Sequence, residues 1–253
     1  MAQELPKVYI LATGGTIAGS GSSATKSNYS AGQVAIGTLL DAVPAIKDVA
    51  NVEGEQVVNI GSQDMSDEVW LVLAKRVNEL LARADVSGIV ITHGTDTMEE
   101  TAFFLSLVTG NAKPVVLVGA MRPSTAISAD GPANLYNAVV VASSPESKGR
   151  GVVVCMDDKV YGARDVTKTN TTNVETFQSP NFGPVGYVHN GKVRYNLSAE
   201  NIRQAVFNID GLTSLPKVGI VYSYSGVQPE AVNALINNGY KGIVHAGVGN
   251  GNI

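Results

Sequence analysis

The sequence predicts an α/β protein: a large N-terminal domain on a doubly wound, mostly parallel sheet, then a smaller C-terminal α/β domain that is incomplete in this chain. Three observations predict it. Short apolar and β-branched runs recur, such as VYIL at 8–11, GIVIT at 88–92 and GVVVCM at 151–156. They are too short for helices and suit strands covered on both faces. Helical patterns separate them, as parallel strands require. Glycine and polar residues gather directly after the strands, at the edge where open α/β sheets bind ligands.

The first strand, over Val8–Leu11, runs into Gly14-Gly15-Thr16. Glycine tolerates positive φ and lets a ligand approach the main chain, so the Thr16 hydroxyl would stand at the strand's carboxyl end. An ordinary strand-to-loop turn with capping threonines reads equally well. The small polar run over 19–28, GSGSSATKSN, predicts a mobile surface loop that orders when ligand binds. Tyr29 at its end is either a hinge anchor or a side chain delivered to a site. A weak helical pattern covers Gln33–Val43, and Gln56–Ile60 reads as a strand ending in Gly61-Ser62-Gln63-Asp64. Ser66 caps a helix with Asp67 and Glu68 in its first turn and Val69, Leu73, Val77 and Leu80 as its buried stripe.

Strand Gly88–Thr92, turn His93-Gly94-Thr95-Asp96-Thr97 and a helix from Met98 to Leu107 form the clearest βα unit. Pro114–Gly119 is a further strand ending at Ala120-Met121-Arg122-Pro123. Asp130 should cap a helix with Pro132 in its first turn. Gly151–Met156 follows as a strand, and its Cys155 reads as a buried residue rather than a reactive thiol. The polar run 165–176, DVTKTNTTNVET, has no hydrophobic face and is either a surface loop or a source of site residues. Asn190-Gly191 within Tyr187–Tyr195 signals a type I′ hairpin. The expected domains are 1–195, a connection at 196–212 of helical character, and 213–253. The last contains strands at Lys217–Tyr222 and Gly242–Ala246 around a helix starting at Pro229. Two strands and one helix are too little for a stable domain, so the native protein is expected to continue past Ile253.

Composition excludes several functions. A formal net charge of −4 leaves no electrostatic footprint for nucleic acid. The longest apolar runs fall far short of the roughly 20 residues that span a bilayer, so no membrane partner is expected. MAQELPK has no charged n-region followed by an apolar stretch, hence no signal peptide; the chain reads as cytosolic or as a mature form. No H-E-x-x-H, paired cysteines or dense carboxylate cluster occurs, so neither metal nor cofactor is expected. Gly19-Ser20-Gly21-Ser22-Ser23-Ala24 matches G-x-G-x-x-A but opens no helix, which argues against dinucleotide binding. His93 is the only histidine near the polar turns, and no G-x-S-x-G elbow occurs, so a Ser-His-Asp triad is poorly supported. A lysine desolvated beside Thr95 and Asp96 could serve as the activating group instead, with Lys168 in the polar run the best candidate, leaving a threonine-based amidohydrolase. A non-catalytic binder of amino acids is the rival from another class, but a binder has no use for a hydroxyl beside a desolvated lysine.

With these residues in hand, the chain resembles the bacterial type II L-asparaginases and glutaminase-asparaginases from residue 7 to 253. The segments that carry the resemblance are LATGGTIAG at 11–19, ATKSNY at 24–29, NIGSQDM at 59–65, THGTDTMEET at 92–101, VGAMRPST at 118–125, DVTKTNTT at 165–172 and AGVGNGN at 246–252. The resemblance implies hydrolysis of L-asparagine to L-aspartate and ammonia, with some activity on L-glutamine, through an acyl-enzyme. It implies Thr16 as nucleophile, Tyr29 closing over it, and Thr95, Asp96 and Lys168 as the proton-transfer group. Gly15, Ser62, Gln63, Thr95, Asp96, Ala120 and Asn252 would bind substrate, Ser62 at the α-carboxylate and Gln63 with Asp96 at the α-amino group. It further implies a homotetramer of intimate dimers with sites at subunit boundaries, Asn252 serving the partner's site, and a periplasmic or secreted location. A chain ending at Ile253 is expected to be inactive alone, because relatives run further and supply an acidic residue to the neighbouring site. Some relatives carry a disulfide that the single cysteine here forbids.

Overall fold

The computed structural model describes residues 4–21, 29–30, 36–110, 112–199 and 206–253. Its strands are β1 Lys7–Gly14, β2 Ser20–Gly21, β3 Tyr29–Ser30, β4 Asn51–Ile60, β5 Gly88–Thr92, β6 Val115–Val118, β7 Val152–Met156, β8 Lys159–Gly162, β9 Thr167–Lys168, β10 Phe177–Gln178, β11 Gly186–His189, β12 Lys192–Tyr195, β13 Val218–Tyr222 and β14 Gly242–Ala246. Its α-helices are α1 Ile36–Asp41, α2 Asp67–Ala82, α3 Met98–Val108, α4 Gly131–Ser143 and α5 Glu230–Asn237. The chain divides into two units, Met1–Asp210 and Gly211–Ile253.

In the first unit, eight strands form one sheet in the order β12-β11-β8-β7-β6-β5-β1-β4. β4, β1, β5, β6 and β7 run parallel, and β8, β11 and β12 add an antiparallel flank. The central runs are fully buried, as uninterrupted apolar segments require in a sheet covered on both faces. Val8, Ile10, Val90, Val116, Val118, Val153 and Cys155 join α4 residues such as Leu135 and Ala138 in one core cluster with α1. Alternate residues, among them Leu11, Ile89, Ile91 and Leu117, face the opposite side, as the period of two dictates. There α2 lies against β5 and α3 against β7. The sheet is thus doubly wound and mostly parallel, as expected.

The structure differs from the sequence reading at four places in the fold. β4 starts at Asn51 rather than Gln56, because it is the sheet's edge strand and its first half is polar, carrying Glu53 and Glu55. Glu53 pairs with Lys7 at 2.6 Å and Glu55 with Arg76 at 2.7 Å. β8 was not expected: Asp157 (φ 50°) and Asp158 (φ 60°) turn the chain straight back from β7. Aspartate reaches this left-handed region without glycine, which hides the turn from a reading keyed to Asn-Gly. The Asn190-Gly191 hairpin does form, with both residues at positive φ. Of the expected helical connection, 200–205 lie outside the described residues and 206–213 form no helix. In α2, Ser66 Oγ accepts the Val69 N–H at 3.4 Å as its cap, but Leu71 and Ala74 take buried places while Val69 stays at the margin.

One irregularity sets up the site. β1 and β4 stay in register from Lys7↔Asn51 to Ala12↔Gln56, then jump to Gly14↔Ile60. β4 thus carries extra residues at a bulge. The Gln56 side chain fills the gap, its Nε2 donating to Ala12 O at 3.1 Å and Val58 O at 2.5 Å.

The second unit pairs β13 with β14 in parallel, Val218↔Gly242 to Tyr222↔Ala246, with α5 between them in sequence. α5 packs on the sheet at Gly219, where any Cβ would collide with Leu235.

Candidate active site

The carboxyl ends of β4, β1 and β5 are neighbours in the sheet, and close backbone approaches bind their turns together. Gly14 (φ 107°) and Gly15 (φ 80°) take conformations that other residues rarely adopt. A Cβ on Gly14 would run into the backbone of Ile60, and one on Gly15 into the backbone of Gly94. Gly15 N–H also donates to Ile60 O at 3.0 Å, and Thr13 Oγ1 donates to Thr92 O at 2.9 Å. Thr16 follows within a short 3-10 turn and is buried. Beyond it, Ile17 lies near Gly131, and Gly19 O accepts both the N–H and the hydroxyl of Ser124, at 3.1 and 2.8 Å.

Ser62, just past β4, meshes with the turn after β5. Its Oγ accepts the Asp96 N–H at 3.1 Å, and its carbonyl accepts the Thr97 hydroxyl at 2.8 Å. Gly94 has no room for a side chain because Ser62 occupies that space. Gln63 is exposed; its carboxamide folds over Gly61 and donates to Asp64 Oδ2 at 3.2 Å. Ala120, past β6, is fully buried.

Lys168 arrives from the β9–β10 ladder. Its Nζ donates to Thr95 Oγ1 at 2.9 Å and to Asp96 Oδ1 at 2.6 Å, with 15% of its side chain exposed against 59% for Asp96. Asp96, Glu99, Lys168, Thr169, Asn170 and Thr171 line a cavity of about 250 Å³ beside this contact. The structure therefore brings Gly15, Ser62, Thr95, Asp96 and Lys168 together, with Thr16 in the turn that packs on Gly94. Tyr29 pairs with Gly21 between β3 and β2, and its side chain lies outside the described residues, as do 22–28 of the expected mobile loop. Asn252 belongs to the second unit, where its N–H donates to Val248 O and its carbonyl accepts the Val248 N–H, both at 2.8 Å.

His93 is fully buried and committed to structure. Nδ1 lies 2.7 Å from Gly94 O, and a carbonyl only accepts, so Nδ1 carries the proton. Nε2 then accepts the Thr101 hydroxyl at 2.9 Å, and Thr101 Oγ1 accepts Trp70 Nε1–H at 2.8 Å. Every donor in this chain is fixed. Burial pushes the imidazole pKa down to about 4, so it stays neutral and is spent on holding the turn. Burial likewise pushes the Cys155 thiol up to about 12, which makes it inert.

The Asp130 carboxylate does not cap α4. It accepts the N–H groups of Met121 and Arg122, both at 2.9 Å, and is itself held by Asn134 Nδ2 at 3.1 Å. It therefore clamps the loop behind Ala120. Sequence reasoning missed two other residues. Gln56 plugs the bulge, a role with no sequence pattern. Glu99 accepts Thr167 Oγ1 at 2.9 Å and the Lys168 N–H at 2.5 Å, hidden as an ordinary carboxylate in a helix's first turn.

A mostly parallel open sheet with a half-buried lysine, a carboxylate and hydroxyls gathered at its carboxyl edge has the arrangement of an α/β enzyme. The family description "Asparaginase, N-terminal" matches residues 7–201. The chain is 62% identical over 254 residues to the probable periplasmic L-asparaginase of Haemophilus influenzae and 59% identical over 254 residues to L-asparaginase 2 of Escherichia coli. Each comparison covers 100% of this chain and 72% of the relative. A crystal structure of a probable cytoplasmic L-asparaginase from Campylobacter jejuni superposes with a TM-score of 0.93 at 51% identity, covering 98% of this chain and 77% of that one. The chain belongs to the asparaginase family and is an L-asparaginase-type enzyme.

Proposed function

We propose that the chain, within its native assembly, hydrolyses L-asparagine to L-aspartate and ammonia through an ester on Thr16, with L-glutamine as a second substrate. The observation that supports this most is the Lys168 Nζ held between the buried Thr95 Oγ1 and the exposed Asp96 Oδ1. Lys168 donates to Thr95, so the Thr95 hydroxyl proton is turned away from the lysine and toward bound substrate. Asp96 balances the ammonium charge. In the proposed reaction Thr16 Oγ gives up its proton and attacks the side-chain amide carbon, and one proton is delivered to the leaving nitrogen as the C–N bond breaks, so that ammonia departs and the ester remains on Thr16. Water then attacks the ester, returning the hydroxyl to Thr16 and releasing the carboxylate. Thr95, Lys168 and Asp96 carry protons during both steps, as a general acid–base group does. Backbone groups near Thr95 and Ala120 serve the oxyanion and the leaving ammonia.

Binding follows from charge. Ser62 Oγ already accepts from Asp96 N–H, which leaves its own proton for the substrate α-carboxylate. Gln63 and Asp96 suit the α-ammonium, and Tyr29 is assigned to closure over Thr16. Assembly as a tetramer of intimate dimers, with Asn252 completing a partner's site, and a periplasmic location extend the same reading. The H. influenzae relative's name supports that location; the C. jejuni protein's name points to the cytoplasm.

The test is ammonia release from asparagine and glutamine. Thr16→Ala should abolish nearly all turnover, and Thr95→Val or Lys168→Met should each cost on the order of 10²-fold or more, with non-additive losses when combined. Unimpaired turnover in Thr16→Ala would overturn the nucleophile assignment. Mass in solution tests the assembly.

A further inference from the structure

We propose that Glu99 is the positioning residue that fixes Lys168 against Thr95 and Asp96; this rests on the reading of Lys168 as part of the proton-transfer group. The need for such a residue is visible in the fold. Lys168 sits on a two-residue strand, β9, paired only with the equally short β10 in a ladder separate from the main sheet. A lone short ladder is marginal, and lysine adds a flexible four-carbon stem. Yet its Nζ makes two contacts at 2.9 and 2.6 Å, and proton transfer depends on holding such distances.

Glu99 supplies the missing reference. One carboxylate oxygen accepts the Thr167 hydroxyl at 2.9 Å and the other accepts the Lys168 N–H at 2.5 Å, so consecutive residues of β9 are gripped at once. The grip comes from the first turn of α3, where the helix dipole favours a carboxylate. That helix end is itself immobilised. Met98 is fully buried, Thr97 is bonded to Ser62, and Thr101 is bonded to His93 and Trp70. Thr95 and Asp96 lie immediately before the same helix. Both halves of the cluster are thus located from one rigid element, although more than 70 residues of chain separate them.

The geometry distinguishes a clamp from a charge effect. Glutamine at 99 can still accept the Lys168 N–H through its carbonyl oxygen and donate its NH₂ to Thr167 Oγ1, because a hydroxyl also accepts. Alanine loses both contacts. The experiment is steady-state ammonia release by purified Glu99→Ala, Glu99→Gln, Thr167→Val, Lys168→Met and the double variant Glu99→Ala/Lys168→Met, with thermal unfolding to establish that each is folded. The expected result is a kcat lower by about 10- to 100-fold in Glu99→Ala, with KM within about threefold. Glu99→Gln should recover most of that loss, Thr167→Val should fall between, and the double variant should be no slower than Lys168→Met. Glu99→Gln as slow as Glu99→Ala, or multiplying losses in the double variant, would overturn the clamp. An impaired Lys168→Met with an unimpaired Glu99→Ala would overturn Glu99 alone, whereas an unimpaired Lys168→Met would overturn the lysine reading beneath it.

Discussion

Thr101→Val is the substitution that most directly tests whether the Trp70–Thr101–His93–Gly94 chain is structural. Thr101 is fully buried, and valine nearly matches its shape, so the change removes a hydroxyl without opening a cavity. Two groups lose their partner: His93 Nε2, fully buried, and Trp70 Nε1, half-buried. The imidazole cannot escape by switching tautomer, since Nδ1 would then present a lone pair to Gly94 O at 2.7 Å. An orphaned buried acceptor costs about 1–3 kcal/mol, and the half-buried tryptophan adds less, for a total of about 3 kcal/mol. At about 2–4 °C per kcal/mol for a chain of this size, Tm should fall by about 6–12 °C. Thr101→Ser keeps both hydrogen bonds and deletes one methyl, for about 1 kcal/mol. Unfolding followed by fluorescence is well suited, because Trp70 is the only tryptophan. A valine variant as stable as the serine variant would refute the assignment.

Three further outcomes follow from the same structure. His93 has a folded pKa depressed to about 4 against about 6.5 unfolded, so the unfolded chain binds the extra proton between these values. Its contribution to stability is full above pH ~6.5 and falls by roughly 3 kcal/mol as pH drops to ~4; urea midpoints against pH measure it, and a native imidazole titrating near its ordinary value would refute it. Gln56→Leu should lower kcat/KM for asparagine by about threefold to tenfold, since relaxing the bulge shifts Ile60, which precedes Ser62 and holds the Gly15 turn before Thr16; unchanged kinetics would contradict this. Cys155 should resist thiol reagents in the native protein and take up one label per chain on unfolding, as mass spectrometry would show.

How much could be read beforehand depended on what each residue's signal was made of. Gly88–Thr92 and Val115–Val118 were legible because buried parallel strands leave an unbroken apolar run. Half of β4 was not, because an edge strand answers to solvent and to Lys7 and Arg76 across its face. Asn190-Gly191 announced its turn, whereas Asp157-Asp158 makes a similar reversal with residues that usually mean something else. At the site, Thr16, Ser62, Thr95 and Asp96 could be grouped from topology, as ends of adjacent parallel strands. Lys168 could be named as a candidate but not located, since nothing local to 165–176 records that it meets Thr95. Asp130 was read as a cap because its position before Pro132 fits one. Its carboxylate turns to Met121 and Arg122 instead, a preference that only the folded loop reveals.

The register jump between β1 and β4 divides the edge strand into two independently heritable halves. Before Gln56, Glu53 and Glu55 answer to surface charge and are free to drift, whereas Val52 packs on the core and Gly54 leaves room for Ile36, and the strand still has to pair with Lys7–Ala12. Residues after Gln56 carry the address of Ser62, because Ile60 is where the Gly14–Gly15 backbone comes to rest. Charge redesign for solubility or altered surface recognition therefore has a natural limit at Glu55, and substrate recognition begins one residue later.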